Sequence, residues 1–322
     1  MDIFRSRLWL SGNQHESETR DVQAHGDHVG RQRNVDAVFI GATERSYATA
    51  WRSFAAFARS TDRPHLPADP ETIAEYLAAL ARAGRRSSTI LTYLAGIAVY
   101  HRAAGFDPPP TSHGVVRVVV RGIRREIGSA RSTKDALDRD ALVTTVQAIE
   151  EDPRGLRDRA LLLVGFAAAL RRSEISALDV DDVAYVTEGI VLTLPRSKTD
   201  QLGEGTRIAI PRAALGGACP VRALVAWLAI GTTRNGPLFR AIDRHGRIGG
   251  RLSGRAVAEI IRARAPGDNI GGHSLRRGAA TQAHRDGHRL RAVMRLGRWQ
   301  SATTAQRYIA EAGLWDEAVG LL

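Results

Sequence analysis

Residues 160–174 read ALLLVGFAAALRRSE, an apolar run that ends abruptly in two arginines, a serine and a glutamate. The run, 160–170, is too short to span a bilayer, which takes about 20 residues. It therefore predicts a helix buried in a folded core. Arg171 follows directly, which puts its guanidinium at the edge of that core. A guanidinium there needs an anionic partner, and the two oxygens of a phosphate match its planar fork. Glu174 lies close enough on a helical turn to hold Arg171 in position. An arginine kept only for packing is the plain alternative, and its companions elsewhere in the chain have to decide.

Outward from this helix the pattern stays helical with one interruption. Asp138 is a predicted cap for DALVTTVQAIEE, and SEISALDVDDV starts a short helix. GIVLTL (189–194) and GTRIAIP (205–211) are β-branched stretches joined by PRSKTDQLGE, which reads as a hairpin. Helical patterns return at CPVRALVAWLAIG, at SGRAVAEIIRARAPG and in four more short segments to the end. Before residue 128, Tyr47, Trp51, Phe54, Ala55 and Ala58 recur at helical spacing, the mark of one buried face. Asp69, Pro70 and Gly84 frame a second helix, Ser87 or Ser88 opens a third, and VVRVVVRGIRREIG ends a fourth in Arg121, Arg124 and Arg125. The expected organisation is a flexible arm at 1–37, a helical module at 38–127, a polar linker GSARSTKDA at 128–136, and a second module at 137–322. Arg131 and Lys134 in that linker are expected to meet a backbone phosphate.

Charge assigns the partner class. The chain of 322 residues carries 46 basic and 34 acidic residues, a formal net charge of +12. The excess lies in the folded parts: −1 over residues 1–37, +5 over 38–129 and +8 over 130–322. Such a surplus points to a polyanion, since neutralising phosphates releases condensed counterions. With 43% hydrophobic and 25% charged residues the chain reads as globular, not disordered. Its single cysteine, Cys219, allows neither an internal disulfide nor a Cys pair for zinc. MDIFRSRLWLSG has no signal-peptide core, so the expected place is the cytoplasm, at the nucleoid.

More chemistry sits in the second module. His273 and Arg276, in GGHSLRRG at 271–278, are three residues apart and form a second phosphate clamp beside a titratable imidazole. Trp299 in LGRWQS and Tyr308 in AQRYI would face opposite sides of one unbroken helix. Gly297 and Ser301 predict a break between them, which lets both face one cleft. An indole N–H donates to a phosphate oxygen, and a phenol can attack phosphorus. GHSLR lacks the second glycine of a hydrolase elbow, HRDG lacks a kinase asparagine, and no Walker or Rossmann glycine loop occurs.

In order and spacing, Arg171-x-x-Glu174, the hairpin Lys198, His273-x-x-Arg276, Trp299 and Tyr308 resemble the tyrosine recombinases, or phage integrases. The tryptophan before the tyrosine is similar to the Cre-like members. The likeness spans residues from about 40 to 322. It implies a mainly α fold with a small antiparallel β-sheet, built as a helical core-binding bundle followed by a catalytic domain. It implies that Arg171 and Arg276 bind the scissile phosphate with His273 and Trp299, that Lys198 protonates the departing 5′ oxygen, and that Tyr308 forms a 3′-phosphotyrosyl link. Glu174 is then the supporting carboxylate. Neither metal nor other cofactor is implied, and the partners are a double-stranded recombination site and a homo-tetramer joined through the C-terminal helix. A nicking-closing enzyme of topoisomerase type and an inactive DNA-binding regulator are the rival readings.

Overall fold

A computed structural model describes residues 42–128, 134–194, 205–212, 218–231 and 235–309. The chain divides into two compact units, Met1–Ser132 and Thr133–Leu322.

The first unit is all helical: α1 (Ala42–Ser60), α2 (Pro70–Arg82), α3 (Ser87–Ala103), a 3-10 turn at Pro110–Ser112 and α4 (Gly114–Ile127). Pro70 opens α2 as expected, although the Asp69 side chain makes no cap bond. Trp51 and Phe54 of α1, Ile73 and Leu77 of α2, and Ile90 and Ile97 of α3 bury together with Tyr100. Trp51 stacks on Tyr100 with centroids 4.8 Å apart. Gly96 makes this packing possible, because its missing side chain leaves room for α1. A Cβ there would press on the Ala50 side chain at 2.9 Å and on the Tyr47 backbone at 3.2 Å.

His101 is fully buried beneath that cluster. Its Nε2 accepts from the Ala68 N–H at 3.0 Å and its Nδ1–H donates to the Ile97 carbonyl at 2.8 Å, a pattern that requires the neutral ring. Burial holds its pKa below the usual 6.5 and His65 adds to the effect, against the Ile97 bond. The folded state therefore binds this proton more weakly than the unfolded chain does. Its contribution to stability is complete above the unfolded value of about 6.5 and is lost as pH falls below it. Urea unfolding of His101→Gln should show a shallower loss of stability between about pH 7 and 5 than the parent. An unchanged slope would place the acid sensitivity elsewhere.

The second unit surrounds the long apolar run, which forms α6 (Pro153–Ala167). Asp152 caps its start by accepting from the Gly155 N–H at 2.6 Å. Leu161, Leu162 and Val164 are fully buried. Each such side chain stabilises by about 1.5–3 kcal/mol. Around α6 lie α5 (Arg139–Gln147), α7 (Arg172–Ala177), α8 (Pro220–Gly231), α9 (Gly254–Arg264), α10 (Ser274–Arg285), α11 (Leu290–Gly297) and a helical stretch at 302–309. Asp138 caps α5 as predicted, accepting from the Ala141 N–H at 2.8 Å.

The expected small sheet is three antiparallel strands in the order β1 (Val183–Val186), β2 (Gly189–Leu194), β3 (Thr206–Pro211). Ile190, Leu192 and Leu194 alternate into the core. A second ribbon, β4 (Arg240–Ile242) with β5 (Ile248–Arg251), has no counterpart in the sequence reading. Its turn is built by Asp243 Oδ1, which accepts from the His245 and Arg247 N–H groups, and by Gly246 at φ 79°. Lys134 and Asp135, read from the sequence as linker, are bonded into this unit. Lys134 Nζ donates to Asn269 Oδ1 at 3.0 Å, and Asn269 donates back to Asp135 at 2.9 Å.

Candidate active site

The site begins where α6 stops. Ala169 takes a left-handed conformation, φ 46°, and the Leu170 N–H reaches back to the Gly165 carbonyl at 2.9 Å. This reversal ends the helix with alanine where glycine is usual. It turns the Ala168 and Ala169 carbonyls toward the guanidiniums of Arg276 and Arg298 and delivers Arg171 to the N-cap of α7. Glu174 accepts there from the Arg171 backbone N–H at 2.8 Å and from the Arg171 guanidinium, as the three-residue spacing predicts.

α10 supplies the second clamp. His273 precedes its first turn and Arg276 lies within it. Gly278 lets α10 settle on the segment before α5, since any Cβ at that position would collide with the Leu137 carbonyl. Arg276 is 1% exposed; its Nη1 donates to the Ala169 carbonyl at 2.9 Å and its Nη2 to that of Gly297. The guanidinium carbon lies 4.7 Å from the centre of the Trp299 ring. The Trp299 and Tyr308 rings are 4.6 Å apart. The predicted break between these aromatics is present: α11 ends at Gly297, Arg298 turns the chain, and Tyr308 stands on the next helix. The Tyr308 carbonyl is held by the Thr281 hydroxyl at 3.1 Å, which ties that helix to α10.

Six of the seven predicted catalytic side chains are thus gathered: Arg171, Glu174, His273, Arg276, Trp299 and Tyr308. Lys198 and Arg131 lie outside the described residues. The ends of the Lys198 loop do pair, Leu194 with Thr206, as the hairpin reading requires. The basic side chains Arg121, Arg124 and Arg125 belong to the first unit, exposed on α4.

Two site residues escaped the sequence reading. The Arg298 side chain is buried and donates to Glu174 Oε2 at 2.6 Å. Arg172 lies beside the imidazole of His273, whose pKa its charge helps to lower. Arg172 adjoins Arg171 in the sequence, but no local signal ties Arg298 to Glu174 across 124 positions.

Electrostatics follow from four guanidiniums around a single carboxylate. For Glu174, burial raises the pKa, but Arg298 and then Arg171 outweigh it and the carboxyl is held below its usual range. For Arg276, burial and then the like charges of Arg171 and Arg298 pull the pKa downward, against Glu174 and Tyr308. The guanidinium still stays charged at neutral pH. For His273, desolvation comes first, followed by Arg172, Arg276 and Arg171. Its imidazole is therefore neutral at pH 7 and offers a hydrogen bond rather than a charge. The arrangement therefore carries a surplus of positive charge beside Tyr308. Among the described residues no group of three or more His, Cys, Asp or Glu side chains could hold a metal ion. Among them, too, no helix is long and apolar enough to cross a membrane.

The chain is similar to known proteins along most of its length. The phage integrase family model matches residues 135–313. The chain is 34% identical over 295 residues to an integrase/recombinase XerD homolog of Selenomonas ruminantium, covering 89% of this chain and 86% of that protein. It is 27% identical over 312 residues to recombinase Cre of Escherichia phage P1, covering 90% and 86%. Among solved structures, a lambda integrase(75-356) dimer bound to a COC′ core site aligns with a TM-score of 0.60 at 18% identity, covering 88% of this chain and 94% of that one. A XerH site-specific recombinase bound to palindromic difH substrate aligns at 0.61 and 17% identity, covering 86% and 78%. At these identities the structural likeness concerns the fold alone.

Proposed function

The chain belongs to the phage integrase family, and from that premise we infer that it is a site-specific tyrosine recombinase whose arginine-rich cleft cuts and rejoins DNA strands. The observation that carries the reading is the succession Arg276, Trp299, Tyr308, a buried cation over an indole that packs at a tilt against a phenol. In the proposed reaction the Tyr308 oxygen attacks the scissile phosphorus, a 3′-phosphotyrosyl bond forms and the bond to the 5′ oxygen breaks. A 5′ hydroxyl from another strand reverses the step, and paired exchanges pass through a four-way junction. Arg171 and Arg276 offset the charge that builds on the non-bridging oxygens, with His273 and Trp299 donating beside them. Phosphoryl transfer depends chiefly on such positioning and electrostatics.

Lys198 is proposed as the acid for the leaving 5′ oxygen. It is one of only two lysines, with Lys134, in a chain that otherwise uses arginine for positive charge. An arginine does not release its proton, whereas a lysine among cations holds its proton less tightly. Lys198→Arg should bind DNA nearly normally and cleave far more slowly. A substrate with sulfur at the bridging 5′ position, which leaves without a proton, should restore the rate. Failure of that rescue would make Lys198 a phosphate clamp instead.

The first unit supplies DNA-binding surface in this reading. Arg117, Arg121, Arg124 and Arg125 line one exposed face of α4. A groove of about 520 Å³ between α1 and α3 adds Arg45, Ser46, Thr49, Ser88 and Thr92. Such a mixture of donors and acceptors suits base edges. We place assembly on the second unit. There a largely apolar cavity of about 200 Å³, lined by Phe166, Ile210, Pro220 and Leu296 together with the polar Arg139, Gln282, Asp286 and His288, would receive the C-terminal segment of a neighbouring copy. In that segment, AEAGLWDEAVGLL, Leu314, Ala318 and Leu321 recur at helical spacing, and the segment lies outside the described residues.

Strand exchange between two labelled duplexes carrying the DNA that flanks the chain's own gene tests the whole reading. Recombinant products are expected from the full chain; relaxation of a single duplex without exchange would favour a nicking-closing enzyme. A chain lacking residues 312–322 should still bind one site but fail to join two. Unchanged pairing of sites on a native gel would defeat the tetramer proposal.

A further inference from the structure

Arg298 closes α11 in the left-handed region, φ 51° and ψ 47°. Glycine adopts that conformation freely and arginine only under constraint. The backbone there has no use for a long side chain, yet the side chain is 6% exposed and both of its terminal nitrogens are engaged. Its Nη1 donates to the Ala168 carbonyl at 2.9 Å and to that of Leu296 at 3.2 Å. Its Nη2 donates to the Ala169 carbonyl at 3.0 Å and to Glu174 Oε2 at 2.6 Å. Three of these four acceptors belong to the segment that presents Arg171, and Glu174 holds Arg171 through its other oxygen.

The cleft is assembled from pieces far apart in the chain. One is the turn from Ala168 to Glu174, with Arg171. Another is the passage from Gly297 through Trp299 to Tyr308. Arg276 touches both, through Ala169 and Gly297, but Arg276 is itself engaged with the proposed phosphate. Arg298, the residue between Gly297 and Trp299, joins the same two pieces from outside the phosphate site.

We propose that Arg298 is a positioning residue for strand cleavage: by sharing the Glu174 carboxylate with Arg171 it locks the Arg171 turn to the segment bearing Trp299 and Tyr308. The phosphate clamp and the attacking oxygen are then in register before DNA arrives. A lysine cannot take this place, because one ammonium lacks the planar fork that reaches two carbonyls and a carboxylate together. A glycine would keep the turn and lose the lock. The proposal rests on the recombinase reading for its catalytic consequence, and on geometry alone for the link itself.

The link is tested first, without DNA, in the full chain labelled with 13C at glutamate carboxyls, Glu174→Gln identifying the resonance. Arg298 is the largest of the influences that lower the Glu174 pKa, so Arg298→Met should move its titration upward. A Glu174 titration that does not move overturns the link. If Arg298→Met fails to fold, Arg298→Gly is used for the same comparison. The catalytic consequence is read as SDS-stable adduct on duplex DNA flanking the chain's own gene. Arg298→Lys should form adduct roughly 100-fold more slowly, the scale of a misplacement of about 1 Å, with duplex affinity within about twofold of the parent. Arg298→Met should shift the acid limb of the adduct rate to higher pH, and adding Glu174→Gln should remove that limb. The double variant should also be no slower than its slower parent, since both changes break one connection. Losses that multiply, or an acid limb that stays in place, overturn the proposal. An absence of adduct from the parent chain would overturn the recombinase reading beneath it, while the carboxyl titration would still decide the link.

Discussion

Tyr308→Phe is expected to abolish covalent attachment to DNA while leaving duplex affinity unchanged. The substitution removes one oxygen and keeps the ring, which stays against Trp299 and within the cluster formed by Ala280, Val293, Ala305 and Ile309. No stability is lost through a cavity, and the hydrogen bond between the Tyr308 carbonyl and Thr281 is undisturbed. SDS electrophoresis after incubation with the flanking duplex checks it. A persistent adduct in the phenylalanine variant would assign the nucleophile to another residue. Tyr185, the other tyrosine of this unit, stands half exposed on β1 and would be the first to test.

Arg276→Lys should be nearly as severe for cleavage, lowering the adduct rate by about 10²- to 10³-fold, the usual cost of one lost transition-state donor. Charge is conserved, so salt-dependent duplex affinity should change little. The guanidinium holds the Ala169 and Gly297 carbonyls at once and sits over the Trp299 ring. An ammonium can satisfy one of these demands at a time. An adduct rate close to the parent's would show that positive charge alone suffices there.

Much of this arrangement was legible in the amino-acid sequence because its signals are local. The apolar run ending in Arg171 announces the central helix and the edge it reaches. Arg171 with Glu174 is a three-residue spacing, and the observed 2.8 Å bond from the Arg171 backbone is what one turn allows. Gly297 announces the break that separates Trp299 from Tyr308. What stayed hidden depends on distance along the chain. Arg298 meets Glu174 from the far side of 124 positions, and no periodicity encodes that encounter. The β4–β5 ribbon was missed because strands of three and four residues are too short to show alternation. Lys134 was read as linker because its polar surroundings conceal a partner, Asn269, that folding brings from 135 residues away.

The turn at Ala168 and Ala169 has a consequence for how this cleft tolerates mutation. Arg276 and Arg298 are moored to the carbonyls of two alanines, not to their side chains. A carbonyl is common to every amino acid, so the moorings are indifferent to the letters at these positions and depend on the number of letters between the end of α6 and Arg171. Exchanges to small residues there will be silent to the arginines. Gain or loss of one residue in the same stretch will rotate both carbonyls away and release two guanidiniums together. In a lineage of such proteins this stretch can drift in composition while its length stays fixed.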